Sequence, residues 1–121
     1  MTASPSQSGG RHIAVGITGA SGAIYAVRTV AALLELGCHL DVVVSEYGRR
    51  LLSDELGADV RVERLRDVLV ERYGAGVGAG TLRLHSNRDL GAALASGSSR
   101  CDAMVVVPCS MKTLAGIAHG L

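Results

Sequence analysis

Apolar residues recur along this chain with two different spacings, and the switch between them lays out the elements. His12-Ile13-Ala14-Val15-Gly16-Ile17-Thr18 is a short apolar run of strand type that ends in a Gly-rich turn, Gly19-Ala20-Ser21-Gly22. From Ala23 to Leu36 the spacing lengthens: Ile24, Val27, Val30, Ala31 and Leu34 repeat at three and four residues, which predicts a helix that Gly37 ends. Leu40-Asp41-Val42-Val43-Val44-Ser45 is β-branched and bounded, and predicts a second strand. A helix that carries the chain back between two strands makes them parallel, in a right-handed unit.

Glu46 to Leu56 predicts another helix, with Tyr47, Leu51, Leu52 and Glu55 at helical spacing and Gly57 as its stop. Between Ala58 and Gly80 the periodicity blurs. Val60, Val62, Leu65, Val68 and Leu69 suit a strand and then a helix, while Gly74-Ala75-Gly76-Val77-Gly78-Ala79-Gly80 reads as a flexible loop, so irregular structure is expected there. Thr81 to His85 reads as a short strand, Arg88 to Ala95 as a short helix and Ser96 to Ser99 as a polar loop. Ala103-Met104-Val105-Val106-Val107 is the clearest buried strand, and Pro108-Cys109-Ser110 turns it into a helix from Met111 to His119.

Alternating strands and helices imply a doubly wound α/β fold: a Rossmann-like (flavodoxin-like) three-layer α/β/α arrangement around a parallel sheet. In such sheets ligands lie beyond the carboxyl ends of the strands, so both strand-to-helix turns are expected to open onto one edge. The 121 residues suffice for one compact domain, read as residues 12–121 behind a disordered polar leader, 1–11.

Composition narrows the function. A net charge of +1 offers no clustered basic surface for nucleic acid or an anionic membrane. No apolar run reaches the roughly 18 residues of a membrane span, and the leader lacks the apolar stretch of a signal peptide, so a cytoplasmic protein is expected. Cys38, Cys101 and Cys109 are odd in number and form no Cys-x-x-Cys pair or His-Cys spacing, which fits reduced thiols and no metal site.

The chemistry concentrates in the two turns. Gly16-Ile17-Thr18-Gly19-Ala20-Ser21-Gly22 puts small residues where a strand becomes a helix, so that backbone N–H groups and the positive helix end can face an anion. It lacks the strict dinucleotide fingerprint: Tyr25 stands where a third small residue is wanted, and Ser45 where a ribose-binding Asp is wanted, which disfavours NAD. Ser45 suits either a phosphate donor or a helix cap. Pro108-Cys109-Ser110-Met111-Lys112-Thr113 makes a second anion cradle, with Ser110 as cap and Lys112 and Thr113 as donors. Two cradles on one edge suit a ligand with a phosphate at one end and a polar ring at the other, the shape of FMN. Glu55, ten residues after Ser45, is either a general acid at that edge or a solvated helix-end carboxylate. His39 and His85 read as polar surface residues, and Cys109 as a small buried one.

These residues together, with Val44-Ser45 and Glu55, Ala95-Ser96-Gly97-Ser98, and Val107 to Ala118, resemble the flavin prenyltransferases of the UbiX type. The resemblance implies an enzyme that joins a dimethylallyl group from dimethylallyl phosphate to N5 and C6 of reduced FMN, without a metal, making the prenylated cofactor of UbiD-type decarboxylases. It implies FMN contacts at Gly19, Ala20, Ser21, Ser45, Ser110, Met111, Lys112 and Thr113. Ser21 would relay a proton near N5, and Glu55 would lie beside the prenyl phosphate. It also implies assembly as trimers in a dodecamer. The family pattern continues beyond Leu121 with further phosphate donors, so residues 12–121 are expected to match the N-terminal part of the family domain. Two other readings remain: an FMN-dependent cysteine decarboxylase of the phosphopantothenoylcysteine type, and an inactive flavin-binding subunit.

Overall fold

The computed structural model describes residues 10–19, 21–56, 64–85 and 101–118, without the side chains of 55 and 56. The elements are strand β1 (His12–Ile17), helix α1 (Ala23–Glu35), β2 (His39–Val44), α2 (Glu46–Leu56), α3 (Leu65–Tyr73), a 3-10 turn (Ala75–Ala79), β3 (Thr81–His85), β4 (Ala103–Val106) and α4 (Met111–Ala118). The expected helix over 88–95, the polar loop 96–99 and leader residues 1–9 lie outside the described residues.

All the strand pairs are parallel, in the order β3-β2-β1-β4. The expected parallel α/β architecture is the one observed. Alternation along the strands decides which side chains are buried. Ile13, Val15 and Ile17 of β1 stand opposite Leu40, Val42 and Val44 of β2, and all point to one face. On that face they pack with Val27, Val30, Ala31 and Leu34 of α1, Leu52 of α2, and Leu65 and Leu69 of α3. Each such buried aliphatic side chain contributes about 1.5–3 kcal/mol relative to exposure.

α1 ends where the sequence requires it to. Gly37 takes φ 84°, its N–H donates to the Leu34 carbonyl at 2.9 Å, and the Cys38 N–H donates to Leu33 at 3.1 Å. This pair of bonds closes a helix whose last residue must turn left-handed, a conformation cheap only for glycine.

Of the stretch expected to be irregular, residues 58–63 with the strand reading at Val60 and Val62 lie outside the described residues, and 64–80 are more ordered than their composition suggests. Leu65 and Leu69, four residues apart, bury one side of α3, and Val77 is fully buried at the centre of the Gly-rich 3-10 turn, against α1. That single apolar side chain gives the glycine segment a fixed place in the core.

The opposite face is built differently. The Asp41 carboxylate accepts from His85 Nε2 across β2 and β3 at 2.7 Å, and His39 Nδ1 bonds Thr81 Oγ1 at 2.7 Å, so the two histidines read as surface residues tie the edge strand to its neighbour. Toward β4 this face carries Gly16, Val43, Met104 and Val106, with Thr113 and Ile117 of α4 standing over them across a cavity of about 320 Å³.

Candidate functional site

Chain order and sheet order disagree at one place. From β1 the chain steps outward to β2 and β3, then crosses back to put β4 on the other side of β1. The connections leaving β1 and β4 therefore diverge, and a crevice opens beyond the carboxyl ends of these two strands. Both turns singled out in the sequence lie there.

Thr18 joins them. Its hydroxyl donates to the Pro108 carbonyl at 2.7 Å and accepts from the Ser110 N–H at 2.9 Å, and its own N–H donates to Pro108 at 3.2 Å. The Val107 N–H adds a bond to Gly16 O at 2.9 Å, and the Ser45 N–H one to Ile17 O at 2.9 Å. The ends of β1, β2 and β4 are thus locked together by main-chain groups and one side-chain hydroxyl.

Ser45 and Ser110 both cap helices. Ser45 Oγ accepts from the Gly48 N–H at 3.0 Å at the start of α2. Ser110 Oγ accepts from the Thr113 N–H at 3.1 Å at the start of α4 and pairs with Thr113 Oγ1 at 2.9 Å. Capping uses a serine lone pair and leaves the Ser45 proton able to donate outward, so the cap and ligand readings are compatible. No buried side-chain nitrogen or oxygen among the described residues lacks a partner, so these hydroxyls are held in position before any ligand arrives.

A cavity of about 540 Å³ opens over these groups, lined by Thr18, Gly19, Ser45, Tyr47, Ser110, Lys112, Thr113 and Gly116. The size lies inside the range of about 300–1,000 Å³ usual for small-molecule sites. The N-termini of α2 and α4 point their positive ends at this edge, Lys112 adds a full positive charge, and among the described residues no carboxylate lines the cavity. Hydroxyls, a cation and helix starts at one end with an aromatic wall beside them fit a planar ligand that carries a phosphate. Among the described residues no three His, Cys, Asp or Glu side chains are grouped to hold a metal ion. All three cysteines are free thiols: Cys38 is buried, Cys109 half-buried and Cys101 exposed.

Of the residues the sequence singled out, Gly19, Ser45, Ser110, Lys112 and Thr113 come together in the lining. Ser21 is exposed just before α1, and Met111, 78% exposed, is on the outer side of α4; neither is among the lining residues. Ala20 lies outside the described residues, and Glu55 is placed only by its backbone, on α2. Thr18 and Tyr47 line the cavity and were not singled out. A hydroxyl at the carboxyl end of β1 was the available signal for Thr18; for Tyr47 it was an aromatic residue two positions past Ser45.

The chain matches the family described as Flavoprotein over residues 1–121. It is 39% identical to the flavin prenyltransferase UbiX of Halalkalibacterium halodurans over 106 residues, which are 88% of this chain and 50% of that protein. The crystal structure of AnUbiX (PadA1) in complex with FMN and dimethylallyl pyrophosphate superposes with a TM-score of 0.68 at 34% identity, covering 91% of this chain and 51% of the other. A dodecameric FMN-dependent UbiX-like decarboxylase from Escherichia coli O157:H7 gives a TM-score of 0.67 at 34% identity, covering 90% and 52%. The chain spans about half the length of the curated relatives it matches.

Proposed function

The chain belongs to the Flavoprotein family, and from that premise we propose that it forms the FMN-binding portion of a flavin prenyltransferase. The reaction would join a dimethylallyl group from dimethylallyl phosphate to reduced FMN, releasing phosphate and supplying prenylated FMN to a UbiD-type decarboxylase. The observation that carries this reading is the Thr18 link, which brings two helix-starting turns to one crevice of the size and polarity that a phosphorylated flavin needs. The flavin prenyltransferases among the relatives support it over cysteine decarboxylation.

When bound, reduced flavin would supply two nucleophilic positions: N5, whose bond to the allylic carbon would replace that carbon's bond to phosphate with loss of the N5 proton, and C6, whose bond to the far alkene carbon would follow protonation of the double bond and release the C6 proton. This chain's residues do the rest. Ser45, Thr113 and Lys112 donate hydrogen bonds to the anionic and polar groups of the cofactor, and Ser110, whose hydroxyl donates to Thr113 Oγ1, orients that donor; positions fixed beforehand are the cheapest way to stabilise charge. Gly19 lets the ligand approach the first turn closely, and the family resemblance adds Ala20 to the cofactor contacts. The family resemblance gives Ser21 the role of a proton relay near N5, Glu55 that of an acidic group for the departing phosphate, and Met111 a backbone contact at the start of α4. The working enzyme is a cytoplasmic homo-oligomer, a dodecamer built from trimers. Among the described residues no helix is long and apolar enough to cross a membrane.

The test joins this chain to the C-terminal half of the H. halodurans relative and incubates the product with FMN, a reductant and dimethylallyl phosphate. Mass spectrometry is expected to find a flavin enlarged by one five-carbon unit, and Glu55→Gln to cut its rate at least tenfold. Unmodified flavin from a folded, FMN-loaded chimera would rule the prenyltransferase reading out.

A further inference from the structure

This chain has three aromatic residues of the Phe, Tyr and Trp class, all tyrosines, and none is in the buried core. Tyr47 is 70% exposed and yet lines the cavity beside Thr18, Gly19 and Ser45. A large exposed ring of this kind has no packing role of its own. It is nevertheless held in place from two sides.

Gly19 packs so closely on the stem of Tyr47 that any side chain at position 19 would overlap the tyrosine Cβ, so the first turn itself fixes the base of the ring. The Arg50 guanidinium, one helical turn further along α2, stands over the ring with its central carbon 5.9 Å from the ring centroid, within reach of a cation–π contact. A phenol ring held at its base by the backbone of one turn and over its plane by a cation is a ready flat surface in the wall of the cavity.

We propose that Tyr47 is the platform on which the planar ring system of the bound flavin stacks, and that Arg50 is the positioning residue that holds the phenol plane. The proposal rests on the flavin reading of this cavity and adds a contact residue to it. It also explains why position 19 must be glycine for a reason besides the approach of a phosphate: a larger residue there would displace the platform.

The experiment titrates the full chain, as wild type, Tyr47→Phe, Tyr47→Leu and Arg50→Met, with oxidised FMN, and reads affinity by ultrafiltration and the emission of the bound flavin. A stacked phenol quenches flavin emission, so wild-type FMN is expected to be bound and dark. Tyr47→Phe keeps the ring and is expected to bind within about twofold of wild type while emitting more strongly. Tyr47→Leu loses the stack, and is expected to bind up to about tenfold more weakly and to emit more strongly still. Arg50→Met is expected to fall between the two. Inorganic phosphate should compete with FMN at the same concentration in wild type and Tyr47→Leu, since the phosphate end is untouched; a general loss of structure would shift both. Unchanged affinity and emission in Tyr47→Leu overturn the proposal alone. Failure of the wild-type chain to bind FMN overturns the flavin reading and this proposal with it, and if Tyr47→Leu does not fold, brighter emission at unchanged affinity in Tyr47→Phe still decides the matter.

Discussion

The two faces of the sheet are made by the same four strands and are finished to different degrees. On the first face Val15, Val30, Leu34 and Val42 are wholly buried, and α1, α2, α3 and the 3-10 turn close over them. On the second, α4 buries no residue; Met104, Met111, Leu114 and Ile117 are 55%, 78%, 51% and 45% exposed, and a cavity separates the helix from the strands. The candidate site sits on the seam between the two. Its first turn is rooted in a closed core, whereas its second is held chiefly by the hydrogen bonds of Thr18 and Gly16 to Pro108, Ser110 and Val107. A ligand touching both turns therefore depends on the Thr18 link to keep the second one in place.

The largest test of this contrast compares one leucine from each face. Leu34→Ala should cost about 2–5 kcal/mol in the denaturant midpoint, because the closed core leaves a cavity where the side chain was. Leu114→Ala should change stability by less than about 0.5 kcal/mol, as exposed substitutions do. Equal costs would mean that the second face is as well packed as the first.

Thr18→Val sharpens the comparison at the seam. The variant keeps the shape but leaves the Ser110 N–H and the Pro108 carbonyl short of a partner, which should cost about 1–3 kcal/mol. FMN affinity should fall about tenfold or more by calorimetry as the second turn drifts, while Thr18→Ser restores most of it. A Thr18→Val chain that binds FMN like wild type would show that the turns need no link.

Lys112→Gln should give the smallest effect. An exposed cation contributes about 0.2–1 kcal/mol, or up to about fivefold in affinity, and salt screens it. FMN should bind slightly more weakly and with a flatter salt dependence, while riboflavin, which lacks the phosphate, should be unaffected.

The sequence displayed the first face more clearly than the second. The Ile13, Val15 and Ile17 alternation, the three- and four-residue spacing through Leu34, and Gly37 as the stop were legible because they express local periods in residues that are buried. Val77 was not: an isolated apolar residue among glycines acquires its place only from the α1 surface it meets. Thr18 was hidden for a related reason, since its partners lie about 90 residues away and only the strand order brings them together. Ser45 and Ser110 were recognised as either caps or ligand donors, and the geometry makes each a cap in the cavity wall.

The most direct measurement of the central claim is a titration of the chain with FMN followed by the backbone amide signals of Gly19, Ser45, Tyr47, Ser110 and Thr113 in nuclear magnetic resonance. If one flavin bridges the two turns, all five signals move along a single saturation curve with one FMN per chain. Movement confined to one turn, or two curves with different midpoints, would contradict it.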